Sequence, residues 1–148
     1  MNLQQLSVFL ENRPGHLERL CRVLADADIN IVTMNLADTS EFGIIRLIIR
    51  EWREARTTLE NAGFTTSATD VLAIEVAHKP GGLADTLRAA GAAGINVEYM
   101  YAFASGTPGK ALVVIRPDGD TTHAAAALAA AGIGVLSAET FHAPEKTP

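Results

Sequence analysis

Residues 6–17 read LSVFLENRPGHL and residues 72–83 read LAIEVAHKPGGL, so one pattern occurs twice in this chain, 66 residues apart. In each copy, alternating apolar residues lead into a short polar stretch, a Pro-Gly pair and a leucine. Such alternation indicates a half-buried strand, and the Pro-Gly pair indicates a tight turn into a helix. The stretch therefore predicts a strand–turn–helix unit, and its recurrence predicts that the chain is built from two related units.

The repeat extends beyond this stretch. The two copies align without a gap over residues 6–50, and three extra residues in the second copy restore the alignment afterwards. The matched pairs include Ile29/Ile95, Asn30/Asn96, Met34/Met100, Gly43/Gly109 and Arg50/Arg116. The sequence thus predicts two homologous units, 1–70 and 71–143, with no linker between them, and a flexible tail at 144–148.

Each unit is predicted to have the element order βαββαβ. Apolar residues at 17, 20, 21 and 24 recur at helical spacing and predict an amphipathic helix. For the first unit we predict strands 6–10, 29–36, 44–50 and 64–71, helices 15–27 and 52–62, and a turn at 40–43. For the second we predict strands 72–77, 95–104, 110–116 and 133–141 and helices 82–93 and 120–131. Right-handed crossovers place both helices on one face of an antiparallel sheet, which predicts an α+β fold of two ferredoxin-like units.

The composition is that of a globular protein, with 48% hydrophobic and 20% charged residues and a formal net charge of −5. This balance argues against nucleic acid or an anionic membrane as a partner, because both require a concentrated positive surface. Cys21 is the only cysteine, so an internal disulfide and a cysteine-based metal site are excluded. The four histidines lack metal-ligand spacing. We expect no metal, no cofactor and a cytoplasmic location.

The segment Leu10–Leu17, taken with Asp28–Ile31 (sequence DINI), resembles ACT domains, the small-molecule sensing modules attached to amino-acid metabolism. The likeness covers nearly the whole chain as a tandem pair. It implies an amino-acid ligand where the loop after the first strand meets the first helix. It also implies that an asparagine opening the second strand of the neighbouring unit contacts the ligand.

Two ligand sites follow from this resemblance. The implied combinations are Asn12 and Gly15 with Asn96, and His78 and Gly81 with Asn30. The residues expected to bind are Asn12, Arg13, Pro14, Gly15, His16, Leu17, Asn30, Ile31, His78, Pro80, Gly81, Gly82, Leu83, Asn96 and Val97. A helix N-terminus carries unpaired N–H donors and a partial positive charge, so it suits a carboxylate. A neutral amide both donates and accepts, so it suits a zwitterion.

Three positions depart from the pattern. Leu10 stands where the serine-sensing ACT domains have histidine, and His78 and Gly82 replace the asparagine and the histidine of the first loop. We therefore expect the two sites to be non-equivalent. A small or branched apolar amino acid, or an aromatic one against Tyr99 and Tyr101, fits at least as well as serine.

Three functions remain open from the sequence. The first is a non-catalytic amino-acid sensor that acts as a homodimer and has an enzyme of amino-acid metabolism as its partner. The second is a ligand-independent regulatory subunit, as in acetolactate synthase, whose small subunit the first loop also resembles. The third is an acylphosphatase-like hydrolase using Arg13 and Asn30. Single residues also have structural interpretations. Asn30 and Asn96 have turn residues as their alternative role, and Arg50 and Arg116 are expected to be solvated strand ends rather than ligand clamps.

Overall fold

The computed structural model describes residues 2–38, 42–105 and 107–143. These residues divide into two compact units, of which one spans Gln4–Thr69 and the other takes the remaining described residues. Two residues of the predicted turn, Ser40 and Glu41, lie outside the described residues, and so does the predicted tail at 144–148.

The first unit has the predicted order βαββαβ. Its elements are β1 (Leu3–Glu11), α1 (His16–Asp26), β2 (Thr33–Asp38), β3 (Phe42–Ile48), α2 (Trp52–Asn61) and the first part of β4 (Thr65–Ala77). The strands are arranged β2-β3-β1-β4, and β3 is antiparallel to both β1 and β2. It follows that β1 and β2 run in the same direction.

The second unit repeats this order, with the second part of β4 as its first strand. The further elements are α3 (Gly82–Ala92), β5 (Val97–Ala104), β6 (Lys110–Pro117), α4 (Thr121–Ala130), β7 (Gly134–Leu136) and a short α5 (Ala138–Phe141). The strands are arranged β5-β6-β4-β7, and β6 is antiparallel to both β4 and β5. The prediction of two ferredoxin-like α+β units is confirmed.

Both helices of the first unit pack on the same face of its sheet, as predicted. One apolar cluster joins alternate residues of β1 and β3 to the inner faces of α1 and α2. Its buried members are Leu6, Val8, Leu10, Leu20, Leu24, Ile29, Ile45, Leu47, Ile49, Ala55, Leu59 and Phe64. Burial of each leucine contributes roughly 2 kcal/mol, so this cluster holds the helices on the sheet and sets where the β1–α1 loop lies.

The second unit has its own core on the equivalent face. Alternate residues of β4 and β6 meet α3 and α4 there, and both helices contribute alanine to it. The buried members are Leu72, Ile74, Val76, Ala90, Val113, Ile115, Ala124 and Leu128. Each unit therefore has a helix-covered sheet face of its own, built from the same pattern of residues.

The second strand of each unit begins later than predicted. β2 starts at Thr33 rather than at 29, and β5 starts at Val97 rather than at 95. The chain leaves α1 through Asp28, whose φ of 58° is left-handed, and the Ile29 N–H then donates to the Leu24 carbonyl at 3.0 Å. A bond of the same kind closes α3. The N–H groups of Ile29 and Ile95 thus close the helices and cannot bond to a neighbouring strand, so β2 and β5 begin only after these residues.

The predicted strand 133–141 is wrong beyond Leu136, because β7 has three residues and α5 follows it. The Ser137 hydroxyl accepts a hydrogen bond from the Thr140 N–H at 3.0 Å, which is the usual way a serine begins a helix. Phe141 then packs edge-on against Phe103, with ring centroids 5.8 Å apart. Phe103 lies on the sheet face away from the core, since its neighbours in β5 pair with core-side residues of β6. α5 therefore covers part of that face.

Candidate functional site

The first candidate site is the exposed loop between β1 and α1. Its backbone is held by a hydrogen bond from the Arg13 N–H to the Glu11 carbonyl (2.9 Å) and another from the Arg19 N–H to the Gly15 carbonyl (3.0 Å). Gly15 precedes the helix with φ +83°, a left-handed conformation that side chains disfavour. The glycine of the Pro-Gly pair is therefore needed to turn the chain from the strand into the helix.

The loop between β4 and α3 has the same backbone arrangement 66 residues later. The Lys79 N–H donates to the Ala77 carbonyl (3.0 Å), the Asp85 N–H donates to the Gly81 carbonyl (2.9 Å), and Gly81 also has φ +83°. The repeat seen in the sequence is thus a repeat of loop conformation.

The N-cap residue of both α1 and α3 is glycine, so neither helix has a side-chain cap from that position. The first N–H of each helix donates to a loop carbonyl, His16 to Arg13 at 3.3 Å and Gly82 to Lys79 at 3.0 Å, which leaves the next N–H groups of the first turn. These donors have no acceptor within their own helix, and the helix dipole adds a partial positive charge there. Each loop therefore presents a group of donors suited to a carboxylate.

His16 is fixed in place beside the first loop. Its Nδ1 lies 3.1 Å from the Glu11 backbone nitrogen and 3.2 Å from the Glu11 carbonyl oxygen. Its ring stacks on Phe64 with centroids 5.7 Å apart, and the Arg19 guanidinium lies 4.7 Å from the same Phe64 ring. Arg19 also donates to the Ala62 carbonyl. The first turn of α1 is thereby tied to the chain between α2 and β4.

Gly82 is the equivalent of His16 in the second unit, and it has no room for a side chain. A Cβ placed on Gly82 would lie 2.0 Å from the Ala77 carbonyl oxygen. α3 therefore begins directly against the end of β4, and this close approach is a structural reason for glycine at 82.

The two asparagines lie at the other end of their units. Asn30 and Asn96 are exposed and precede β2 and β5. The loops at 12–15 and 78–81 follow the ends of β1 and β4, which run in the same direction as β2 and β5 within their own units. Asn12 and Asn30 are thus at opposite ends of the first unit, and the loop of a unit cannot share a ligand with that unit's own second-strand asparagine.

The remaining predicted residues have varied settings. Arg13 forms an exposed ion pair with Glu11 at 3.2 Å. The prolines and His78 are exposed, and Leu83 is 38% exposed. Partly buried residues that pack against the unit cores are Leu17, Ile31 and Val97. The side chains of these three residues pack against the cores and thereby hold the loop and the strand ends in place.

Arg116 is not the solvated strand end that the sequence predicts. Its Nη1 donates to the Asp70 carbonyl (2.9 Å) and to the hydroxyl of buried Thr121 (3.1 Å), and its Nε lies 3.7 Å from the Glu98 carboxylate. Arg50, its equivalent in the first unit, is exposed as predicted. Arg116 therefore joins β4, β6 and α4 within the second unit.

One carboxyl group of the first unit has a shifted pKa. The Thr66 hydroxyl donates to Glu60 Oε1 at 2.6 Å, and Arg56 Nε donates to the same oxygen at 2.9 Å. Both bonds favour the ionised form, so the pKa of Glu60 is lowered, chiefly by Thr66 and then by Arg56. This group ties α2 to β4 and lies outside the loop.

No three His, Cys, Asp or Glu side chains come together as a metal site within residues 2–38, 42–105 and 107–143. None of the helices in that part of the chain has the length and apolar character that a bilayer crossing requires. The polar groups of the two loops are backbone N–H groups, the Asn12 amide, the cations of Arg13 and Lys79, and the imidazoles of His16 and His78.

Two tandem ferredoxin-like units, each with a Pro-Gly loop that opens its first helix, define a protein of the ACT class. The family model of the ACT domain pair matches residues 1–137, and this chain belongs to that family. No curated protein matches it.

Solved structures share this fold. Protein BT0572 from Bacteroides thetaiotaomicron is 35% identical with a TM-score of 0.89, over 97% of this chain and 98% of that one. The regulatory subunit of aspartate kinase from Thermus flavus is 18% identical with a TM-score of 0.63, over 89% and 94% of the two chains. The corresponding subunit from Thermus thermophilus is 17% identical with a TM-score of 0.65, over 88% and 93%. At these low identities, the likeness to the kinase subunits shows the fold alone.

Proposed function

We propose that this protein is a non-catalytic regulatory protein that binds an amino acid at the β1–α1 loop. Membership of the ACT domain pair family carries the proposal. The geometry of the loop supports it, because the first-turn N–H groups of α1 beyond that of His16 have no acceptor within their helix, and the loop that precedes them, which contains Asn12, is exposed. Those donors suit the carboxylate of an amino acid, and an amide suits its ammonium group.

The asparagine that completes the site is proposed to come from another unit. Within the first unit, Asn30 is at the end opposite to the loop, so it cannot reach a ligand held there. The resemblance assigns this role to Asn96 for the first loop, and that pairing stays a prediction. The physical requirement is only that the amide belongs to a different ACT unit from the loop.

The protein is further proposed to act as a cytoplasmic homodimer that regulates an enzyme of amino-acid metabolism. Within its unit, β2 pairs only with β3 in the part of the chain that is described. Three apolar side chains along and just before this edge strand, Val32, Met34 and Leu36, are 41–46% exposed. An exposed apolar edge strand favours pairing with another chain. Regulation then requires that the amino acid bind two states of the assembly with different affinity.

A thermal-shift screen against the twenty amino acids tests the proposal. An amino acid at a thousand times its Kd stabilises the folded state by about 4 kcal/mol, which is a shift of several degrees. We expect one amino acid or one class to stabilise the wild type, and we expect the Asn12→Ala and Asn96→Ala variants to lose that shift. The exposed His123, on α4, provides a control variant, His123→Ala, that keeps the shift.

If no amino acid stabilises the protein, the sensor proposal is wrong. The hypothesis of a ligand-independent regulatory subunit would then be favoured. Capture of an enzyme partner by the purified chain would be the next experiment.

A further inference from the structure

The edge strands of the two units differ, although the units are repeats of each other. β2 is an edge strand of the first unit and β5 is its equivalent in the second, and in the described part of the chain each pairs with one strand only. Resting on the proposed homodimer, we infer that two copies of the chain join through β2, by antiparallel pairing centred on Asn35, and that β5 takes no part in this interface.

The first observation is that β2 exposes larger apolar side chains than β5 does. Met34 and Leu36 are 41% and 46% exposed, and they lie on the helix-bearing side of the sheet because their partners in β3 are core residues. Their equivalents 66 residues later are Met100, which is 39% exposed, and the exposed Ala102. Exposed apolar side chains along an unpaired edge favour the addition of another strand.

The second observation is that β5 is protected against such an addition. Glu98 stands where the first unit has Val32, and its half-exposed carboxylate lies 3.7 Å from Arg116 Nε. The β5–β6 ladder also shifts register between Val97 and Tyr99, whereas β2 pairs with β3 in unbroken register. A charged side chain and an irregularity at an edge both oppose pairing with a further strand.

The third observation is that the sequence of β2 is complementary to itself. An antiparallel pair centred on Asn35 places apolar or small residues opposite each other: Met34 opposite Leu36, and Thr33 opposite Ala37. The two Asn35 amides meet at the centre, where each can donate and accept. Asp38 is the only charged residue of β2, and it lies opposite the uncharged start of the other β2, so no like charges meet. A second copy of the chain is therefore the partner that this edge fits.

Sedimentation equilibrium of the full chain over a range of concentrations tests the inference. Met34→Lys places a charge inside the proposed interface and should raise the dissociation constant of the dimer by about 10-fold or more. Met100→Lys is the matched control, because it makes the same change at the equivalent position of β5 with nearly the same exposure. It should leave the dissociation constant unchanged. Thermal unfolding checks that both variants are folded.

Cross-linking tests the centre of the pairing. In a Cys21→Ala background, Asn35→Cys places two thiols opposite each other, with Cβ atoms about 5 Å apart. A short bismaleimide should therefore join two chains into a covalent dimer. Ala102→Cys in the same background puts an exposed thiol on β5, and that variant should stay a single chain under the same treatment.

A wild-type chain that is monomeric at every concentration would overturn the inference and the proposed homodimer together, while the amino-acid screen would still decide on the sensor. A dimer that Met100→Lys weakens as much as Met34→Lys does, or that neither variant weakens, would overturn the inference alone. Failure of Asn35→Cys to cross-link would overturn the pairing centred on Asn35, and cross-linking through Ala102→Cys would contradict the exclusion of β5.

Discussion

Replacement of Gly82 by alanine measures how closely α3 packs against the end of β4. The new Cβ would lie 2.0 Å from the Ala77 carbonyl oxygen and 3.0 Å from its carbon, whereas ordinary contact begins at 3.4 Å. The strand end and the helix start must therefore separate by about 1.4 Å, the difference between 3.4 and 2.0 Å. Both groups are backbone in regular elements, so a change of side-chain rotamer cannot relieve the clash.

Overpacking of an ordered interior costs about 1–3 kcal/mol. Because the obstacle here is backbone, we expect Gly82→Ala to lower the free energy of unfolding by about 3 kcal/mol, the upper end of that range. For a chain of this size, such a loss lowers Tm by roughly 6–12 °C. Urea denaturation of the full chain, followed by circular dichroism, measures the change as a lower midpoint at constant slope.

Gly91→Ala is the matched control, because it makes the same change in the same helix. Apart from its chain neighbours and the backbone of its own helix, no atom lies within 4 Å of a Cβ at Gly91, and this residue does not have a positive φ. Alanine is the better helix former, so Gly91→Ala should stabilise the protein by about 0.5–1 kcal/mol. If Gly82→Ala proved as stable as the wild type, or changed stability in the same direction as Gly91→Ala, the close approach of α3 to β4 would be refuted.

Three further predictions concern residues outside the loops. Arg116→Ala should lower the free energy of unfolding by about 1–3 kcal/mol, because it leaves the buried Thr121 hydroxyl without its donor. The control Arg50→Ala should change that free energy by less than about 0.5 kcal/mol. Denaturant unfolding of the two variants measures the difference. Phe141→Ala should cost about 1 kcal/mol and should speed hydrogen exchange in α5; unchanged exchange would contradict the contact with β5. Thr66→Val should raise the pKa of Glu60 toward its ordinary value in an NMR titration. The stabilisation that ionised Glu60 provides is present above its unfolded-state pKa and is lost as pH falls through the lowered folded-state pKa.

Most of the fold was predictable because its signals are local. The strand and helix periods of 6–17 and 72–83 are visible in the residues themselves, and the repeat doubles every signal. Element ends were less predictable. The delayed start of β2 depends on a backbone bond from Ile29 to Leu24, and the end of β7 depends on Ser137 acting as a helix cap. A strand pattern and a capped helical turn are similar over so few residues.

The candidate site was predictable only in part. The loop residues and the glycine that turns the chain follow from the Pro-Gly pattern and the resemblance to ACT domains. The stacking of His16 on Phe64 joins residues 48 positions apart in the sequence, and no pattern marks it. The sequence also could not show that Arg116 is hydrogen-bonded while Arg50 is exposed. Both are arginines at equivalent strand ends, and they differ only in the residues that surround them.

The sequence by itself determined that the chain holds two homologous βαββαβ units, that each first helix begins at a Pro-Gly loop, and that the loops differ at 16 and 82. These properties depend on periodicity and on the backbone preferences of single residues, which act over a few positions. Only the tertiary structure shows that His16 stacks on Phe64 and that the contact with Ala77 requires glycine at 82. It alone also shows that Arg116 joins elements of its unit by hydrogen bonds. Such contacts depend on distances between elements, and those distances arise only when the helices pack on the sheets.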